Sequence, residues 1–267
     1  MPVDHYENFP VASLLLPPSL REPVEVIYRF ARSADDFADE GDDPPAARLE
    51  KLGAYKAQIA LIALGGKPDQ GLFTDIDRIA KQHGLPLSLF GDLLDAFSQD
   101  VVKNRYADFA EVLDYCRRSA NPVGRLLLHL FKRTSETQLR QSDAICTSLQ
   151  LINFWQDVEI DWRKDRVYLP QDEMRSHRVS EAHLAESRCD DNWRALMRFQ
   201  CERARAMMLE GAPLSASLEG RARWEISLTV QGGLRILEKL AAAGYDMFRQ
   251  RPKLRWFDWP LLAWKAL

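Results

Sequence analysis

An all-α fold is what this sequence predicts, and three observations predict it. Apolar residues recur at helical spacing through most of the chain, glycine or proline punctuates that pattern, and no run alternates as a half-buried strand would. No low-complexity segment, repeat of solenoid length or flexible linker interrupts it, so residues 1–267 read as one helical domain. A core of that size can bury most of its apolar surface without disulfides.

The elements follow in order. Ser19 with Glu22 forms a capping-box pattern ahead of a first long helix, which Gly41 and Pro44–Pro45 end. Further helices are expected over 45–64, 72–83, 86–101, 108–118, 122–133, 138–162, 190–210 and 221–243. Gly65–Gly66, Gly84, Gly211 and Gly244 stand where C-terminal caps belong. The composition is 46% hydrophobic and 28% charged with a net charge of −3, which lacks the basic footprint of a nucleic-acid partner. Cys116, Cys146, Cys189 and Cys201 show neither a CxxC pair nor zinc-ligand spacing, and read as reduced thiols of a cytoplasmic protein. The N-terminal stretch MPVDHYENFPVASLLLPPSL carries acids where a signal peptide needs bases, and no run is long enough to span a bilayer.

Two stretches break the rule that helical carboxylates face water. In ARSADDFADE, residues 31–40, a helical wheel gathers Ile27, Tyr28, Phe30, Ala31, Ala34, Phe37 and Ala38 into one apolar arc. Asp36 and Glu40 fall opposite that arc, beside Arg29 and Ser33. Asp35 falls inside it and Asp39 at its edge, where an unpaired carboxylate would cost several kcal/mol. The second stretch, SLQLINFWQDVEIDWRKDRVYLP at 148–170, is apolar nearly all round, yet Asn153, Asp157 and Asp161 recur at four-residue spacing and share one sector with Gln150.

Two inward Asp-x-x-x-Asp pairs suit a hard divalent cation with oxygen ligands, and Mg²⁺, which bridges carboxylates to phosphate oxygens, fits best. Arg32, Lys164 and Arg166 lie close by in sequence for the phosphate. The plain alternative is that Arg32, Arg117 and Arg118 neutralise the pairs as structural salt bridges.

These segments resemble the squalene/phytoene synthase family. IYRFARSADDFAD (27–39) looks like its first aspartate-rich helix, YCRRSANPVGRLL (115–127) like its Val-Gly helix, and 148–170 like its second aspartate-rich segment, ending in Arg-x-Tyr-Leu-Pro. The resemblance implies an isoprenoid-synthase bundle around a central cavity. It implies Asp35, Asp39, Asn153, Asp157 and Asp161 as metal ligands, with the four aspartates catalytic. Tyr28, Arg32, Gln150, Lys164, Arg166 and Tyr168 would contact substrate or diphosphate. Aromatic residues such as Phe30, Phe37, Phe154 and Trp155 would line the cavity that shelters a carbocation.

Four departures sharpen the expectation. HYENFP places Glu7 where a basic residue is expected, the second motif reads Gln156–Asp157 rather than Arg-Asp, position 117 is Arg rather than aromatic, and position 233 is Gly rather than Tyr. Losing positive charge for a second diphosphate suits the hydroxysqualene-forming branch of the family. That branch implies ionisation of presqualene diphosphate, rearrangement and capture by water, as part of squalene and hopanoid biosynthesis. A multi-ion Mg²⁺ cluster would serve it and no NADPH is expected, since no dinucleotide fingerprint is present. The alternative within the family is a condensing enzyme making presqualene diphosphate, squalene or phytoene. Outside it stand an all-α nucleoside-triphosphate pyrophosphohydrolase, which relies on Glu-x-x-Glu pairs, and a non-catalytic prenyl-lipid carrier.

The tail RPKLRWFDWPLLAWKAL, residues 251–267, holds three of the seven tryptophans among basic residues. It is expected either to pack across the domain or to touch the cytoplasmic face of a membrane. Presqualene diphosphate, such a membrane face and neighbouring squalene-pathway enzymes are the partners this reading names.

Overall fold

The computed structural model describes residues 18–266, in which α-helices follow one another with no strand among the described residues. They are α1 (Pro18–Asp39), α2 (Pro45–Ala63), α3 (Leu72–His83), α4 (Leu87–Asp100), α5 (Phe109–Ser119), α6 (Asn121–Leu130) and α7 (Glu136–Gln156). After them come α8 (Val158–Arg163), α9 (Gln171–Ser176), α10 (Glu181–Ala185), α11 (Asp191–Gly211), α12 (Gly220–Ala242) and α13 (Trp259–Lys265). Two 3₁₀ turns, Ala212–Ser217 and Trp256–Asp258, join the later helices.

Most expected helices are present within one or two residues of their bounds. Three expectations change. Ser19 lies inside α1, which already includes Pro18, so it is no cap. The helix expected over 138–162 is interrupted at Asp157. Gly211 is the last residue of α11 rather than its cap, and its bareness serves packing: a Cβ there would stand 2.5 Å from Ile145 Cγ1 of α7. The short α9, α10 and α13 were not expected, being below the length at which periodicity shows. Position 7, with the rest of HYENFP, lies outside the described residues.

Ser135 and Gln138 make a full capping box at the start of α7, and α7 then runs through the middle of the molecule. It packs on α5, α6, α11 and α12. Ser148 Oγ donates to the Ala204 carbonyl of α11 at 2.7 Å, and buried Thr147 donates to Asn121 Oδ1 of α6 at 2.9 Å, which removes the cost of burying both hydroxyls. Gly124 lets α6 approach, since a Cβ there would meet Ser142 Oγ at 2.4 Å. The apolar interior has two clusters that meet at α6: Leu128 faces the one around α7, α11 and α12, while Leu126 and Leu130 face the one around α1 to α4. This arrangement carries the end of α1 to the end of α7.

Candidate active site

The last turn of α1 supplies Asp35 and Asp39. Asp39 accepts from Arg166 Nη2 at 2.6 Å and Lys164 Nζ at 3.1 Å. Burial alone would raise its pKa, but these two cations outweigh burial and hold it below the ordinary carboxylate value. Among the described residues Asp35 has only a 3.4 Å contact with Arg32, and it keeps 40% of its side-chain surface open. Crowding by the protein, with the charge of Asp39, pushes it up to about 6. Asp36 is just as exposed, at 38%, and pairs with Arg32 at 2.8 Å. Exposure therefore does not separate Asp35 from its neighbour as the helical wheel implied; their partners do.

The second pair straddles a helix break. Asp157 has φ −103° and ψ 11°, ending α7 and starting α8. Its amide still donates to the Asn153 carbonyl, and the Asp161 amide donates to the Asp157 carbonyl. The four-residue ladder thus survives the break, which is why the spacing was still legible. The Asp157 carboxylate is clasped by Arg251, Nε to Oδ1 and Nη2 to Oδ2, the latter at 2.9 Å. Asp161 lacks such a clasp, and burial with the charge of Asp157 pushes it up to about 8.

A turn after α8 brings the cations back. Asp165 adopts φ +57°, the Arg166 amide donates to the Asp161 carbonyl at 2.8 Å, and Val167 pairs with the chain at Asn104. Arg105 fixes this turn by binding Asp165 and Glu181. The Arg166 guanidinium is raised above its ordinary pKa: burial opposes this, and its bond to Asp39 more than offsets it.

A fifth carboxylate was missed. Asp100, the last residue of α4, accepts from Tyr115 Oη at 2.6 Å and from Tyr168 Oη at 3.4 Å. Burial pushes it up to about 7, with Asp39 and Asp35 adding to the rise and Tyr115 and Arg166 opposing it. Its signal was available, because Asp100 lies four residues after Ala96 and three after Phe97 on the buried face of α4. Arg251, also missed, gave no local signal, since it reaches Asp157 across 94 residues of chain.

Ala38, Asp43, Arg48, Asp100, Lys164 and Arg166 are among the residues lining a cleft of about 280 Å³. Beside Asp161, Trp155 and Tyr168 border a cavity of about 10 Å³, room for about one water. The Trp155 indole N–H, buried, has no hydrogen-bond partner among the described residues. Tyr106, Tyr115, Phe154 and Tyr168 form an aromatic wall against Asp100, with Phe154 and Tyr168 stacked at 3.7 Å and 6°. Phe154 stands in this wall and Trp155 borders the small cavity. Phe30 and Phe37 do neither: they pack on Tyr55 in the α1–α4 core.

The remaining candidates lie further out. Arg32 is engaged on the rim by Asp36 and Glu40, and half-buried Tyr28 sits one turn before it. Asn153 is exposed one turn before Asp157, and Gln150 is half-buried behind it on α7. Exposed Arg117 and mostly buried Arg118 both bind Asp114, and Arg118 also donates to Gln99 Oε1 of α4 at 2.6 Å, so these partners belong to neither acidic pair.

This geometry meets its comparison with known proteins directly. A family model described as squalene/phytoene synthase matches residues 3–258. The chain belongs to the squalene/phytoene synthase family. A hydroxysqualene synthase of Rhodopseudomonas palustris is 32% identical over 263 residues, covering 98% of this chain and 88% of that one. A 15-cis-phytoene synthase of Synechococcus elongatus is 28% identical, covering 92% and 83%. Among solved structures, squalene synthase HpnC of Alicyclobacillus acidocaldarius superposes with a TM-score of 0.84 at 31% identity, covering 91% of each chain. The all-α isoprenoid-synthase fold is therefore shared with these squalene/phytoene synthases.

Among the described residues no three acidic, histidine or cysteine side chains stand close enough together to hold a metal ion. The donor chemistry nevertheless fits one. Asp35, Asp100 and Asp161 are all raised by crowding that neighbouring carboxylates increase, which marks a recess short of positive charge. The donors are all oxygens, the set a hard divalent cation takes. Asp35 and Asp39 from one side, and Asp157 and Asp161 from the other, are the residues that would hold it, with Asn153 one turn away.

Proposed function

We propose that this family member ionises presqualene diphosphate and lets water capture the rearranged cation as hydroxysqualene. The bond from the cyclopropylcarbinyl carbon to oxygen breaks, and its electron pair leaves with diphosphate. After rearrangement a new carbon–oxygen bond forms to water, which gives up one proton. Bound divalent cations would neutralise the charge growing on the diphosphate. Lys164, Arg166 and Arg251, already gathered at the carboxylates, would take its remaining oxygens. The wall of Tyr106, Tyr115, Phe154 and Tyr168 offers π faces and keeps bulk water from the cation.

The observation that carries this reading is how two departure positions are filled. Gln156 is buried and donates its amide to the Pro252 carbonyl, so it acts as a tie to the tail and brings no charge. Gly233 is buried with Met208 Cε, Ile152 and Leu149 packed over it, so this position presents apolar neighbours and no tyrosine hydroxyl. Position 117, on the outer face, carries no weight either way. Hydroxysqualene synthases among the relatives support the same choice. Product analysis tests it. With presqualene diphosphate, Mg²⁺ and no NADPH the expected product is hydroxysqualene. Turnover of farnesyl diphosphate alone to presqualene diphosphate or phytoene would overturn the reading in favour of a condensing enzyme.

A further inference from the structure

The tail is fastened to the protein by its backbone and its one acid, while its large aromatic side chains face out. Asp258 is 1% exposed and is bound by Arg235 Nε at 2.9 Å, by Lys239 Nζ and by the Arg255 amide at 2.8 Å. Leu262 and Ala266 are buried beneath α13, and Ser227 of α12 donates to the Ala266 carbonyl at 3.2 Å. The opposite side of the same segment leaves Trp256 82% exposed and Trp264 71% exposed, with Phe257 and Trp259 also open. No described helix is long and apolar enough to cross a membrane.

We propose that residues 253–265 form a preassembled docking face for an anionic lipid membrane. Charge is the first argument. Lys253, Arg255 and Lys265 are exposed, the segment's single acid is sequestered between Arg235 and Lys239, and the neighbouring acid Glu238 is shared between Lys265 at 3.4 Å and Arg235, so the face meets solvent with an excess of positive charge and with aromatic rings. Indoles flanked by cations suit the headgroup region, where a ring buries one edge while basic side chains meet phosphate. Rigidity is the second. Because Asp258 already fixes the backbone, the rings would insert without the cost of ordering the segment. Continuity with the site is the third. Arg251 holds Asp157, Gln156 holds Pro252, and Trp256 lies five positions after Arg251. At about 3.5 Å per residue, the Cα of Trp256 stands within roughly 18 Å of that of Arg251, whose guanidinium reaches into the acidic recess. A lipid-bound face there would place the recess beside the phase in which a greasy substrate dissolves.

The test reads binding, so it is independent of which product the enzyme makes. The full chain would be sedimented with vesicles of phosphatidylcholine containing about 30% phosphatidylglycerol, and with phosphatidylcholine alone. We expect binding to the anionic vesicles, weakened by salt, and a loss of about tenfold in partitioning for Trp256→Ser/Trp264→Ser with unchanged thermal melting. Brominated lipids should quench the tryptophan fluorescence of the unaltered protein, a readout that stands even if the double variant folds poorly. Failure of the unaltered protein to bind anionic vesicles would overturn the proposal, as would undiminished binding by a folded double variant. So would a dimer that the double variant dissociates, which would make the face a contact between copies. Protection of these tryptophans from acrylamide without lipid would assign the face to residues 1–17 or a second copy instead.

Discussion

The two acidic pairs solve the same electrostatic problem with different backbones. On α1 an unbroken helix presents Asp35 and Asp39; at the end of α7 Asp157 is itself the non-helical residue, and Asp161 follows within α8. In each pair one carboxylate is neutralised by a cation from far along the chain: Arg166 and Lys164 at Asp39, Arg251 at Asp157. In each pair the other is left crowded, Asp35 at about 6 and Asp161 at about 8. The difference lies in who fastens the cation. The partners of Asp39 come from the turn after α8, whereas the partner of Asp157 belongs to the segment leading to the aromatic tail. The first pair thus ties α1 to the second motif, and the second ties that motif to the tail.

The largest expected effect removes one member of each pair. Asp35→Ala and Asp157→Ala should each lower turnover by about a thousandfold or more, because each takes a proposed metal ligand while leaving the helices in place. Circular dichroism should show unchanged helicity. Asp36→Ala, equally exposed but tied only to Arg32 on the rim, should cost no more than about fivefold. If Asp36→Ala were as inactive as Asp35→Ala, the distinction between them would rest on nothing the structure shows.

A smaller loss is expected at the carboxylate that belongs to neither pair. Asp100→Asn keeps the shape and the bond from Tyr115 but removes the charge. It should lower kcat by about a hundredfold with a smaller change in KM, since Asp100 faces the aromatic wall and the cleft together. An unchanged kcat would make Asp100 a tether for two tyrosines and nothing more.

Asp100 also shows what a sequence can and cannot reveal here. The wheel that placed Asp35 inward applies equally to α4, where Leu93, Ala96 and Phe97 mark the buried face that Asp100 extends. Asp100 has no second acid one turn away on α4, so it lacks the four-residue spacing that marks the other two pairs. The bounds of the long helices were legible because Gly84, Pro45, Pro86 and Gly244 terminate backbone geometry locally. The α7–α8 break was not, because the hydrogen-bond ladder on both sides keeps the four-residue spacing intact. Arg251 and the ties at Gln156 and Asp258 were illegible for a different reason. They depend on how the tail folds back, and no local pattern encodes a contact across 94 residues. The exposed tryptophans were read as equally suited to core or membrane, and the structure divides the segment, with Leu262 buried and Trp264 out.

The smallest expected effect sharpens the comparison through pH. Asp161 at about 8 and Asp100 at about 7 both lie above the ordinary carboxylate value, so between that value and about 8 the folded protein binds more protons than the unfolded chain. Stability must then fall as pH rises across this window. Asp39 and Asp258 are shifted the other way, Asp258 to about 2, so their contribution is fully present above the ordinary value and is lost only in strong acid. In the window from pH 6 to 8 the two strongly raised carboxyls set the slope, against a smaller opposing contribution from His129, whose pKa burial lowers. Without divalent cations, the melting temperature should drop by a few degrees from pH 6 to pH 8. Asp161→Asn should flatten that slope and raise the melting temperature at pH 8, because it deletes a charge that is repelled rather than paired. Mg²⁺ with inorganic diphosphate should flatten it in the unaltered protein by supplying the positive charge the recess lacks. Asp157→Asn should do the reverse at the same pH, destabilising the fold by leaving Arg251 without its carboxylate. A melting temperature that rises from pH 6 to 8 in the absence of metal, or a shift of the same sign for the two asparagine variants at pH 8, would show that the pairs are not divided into one held and one crowded member.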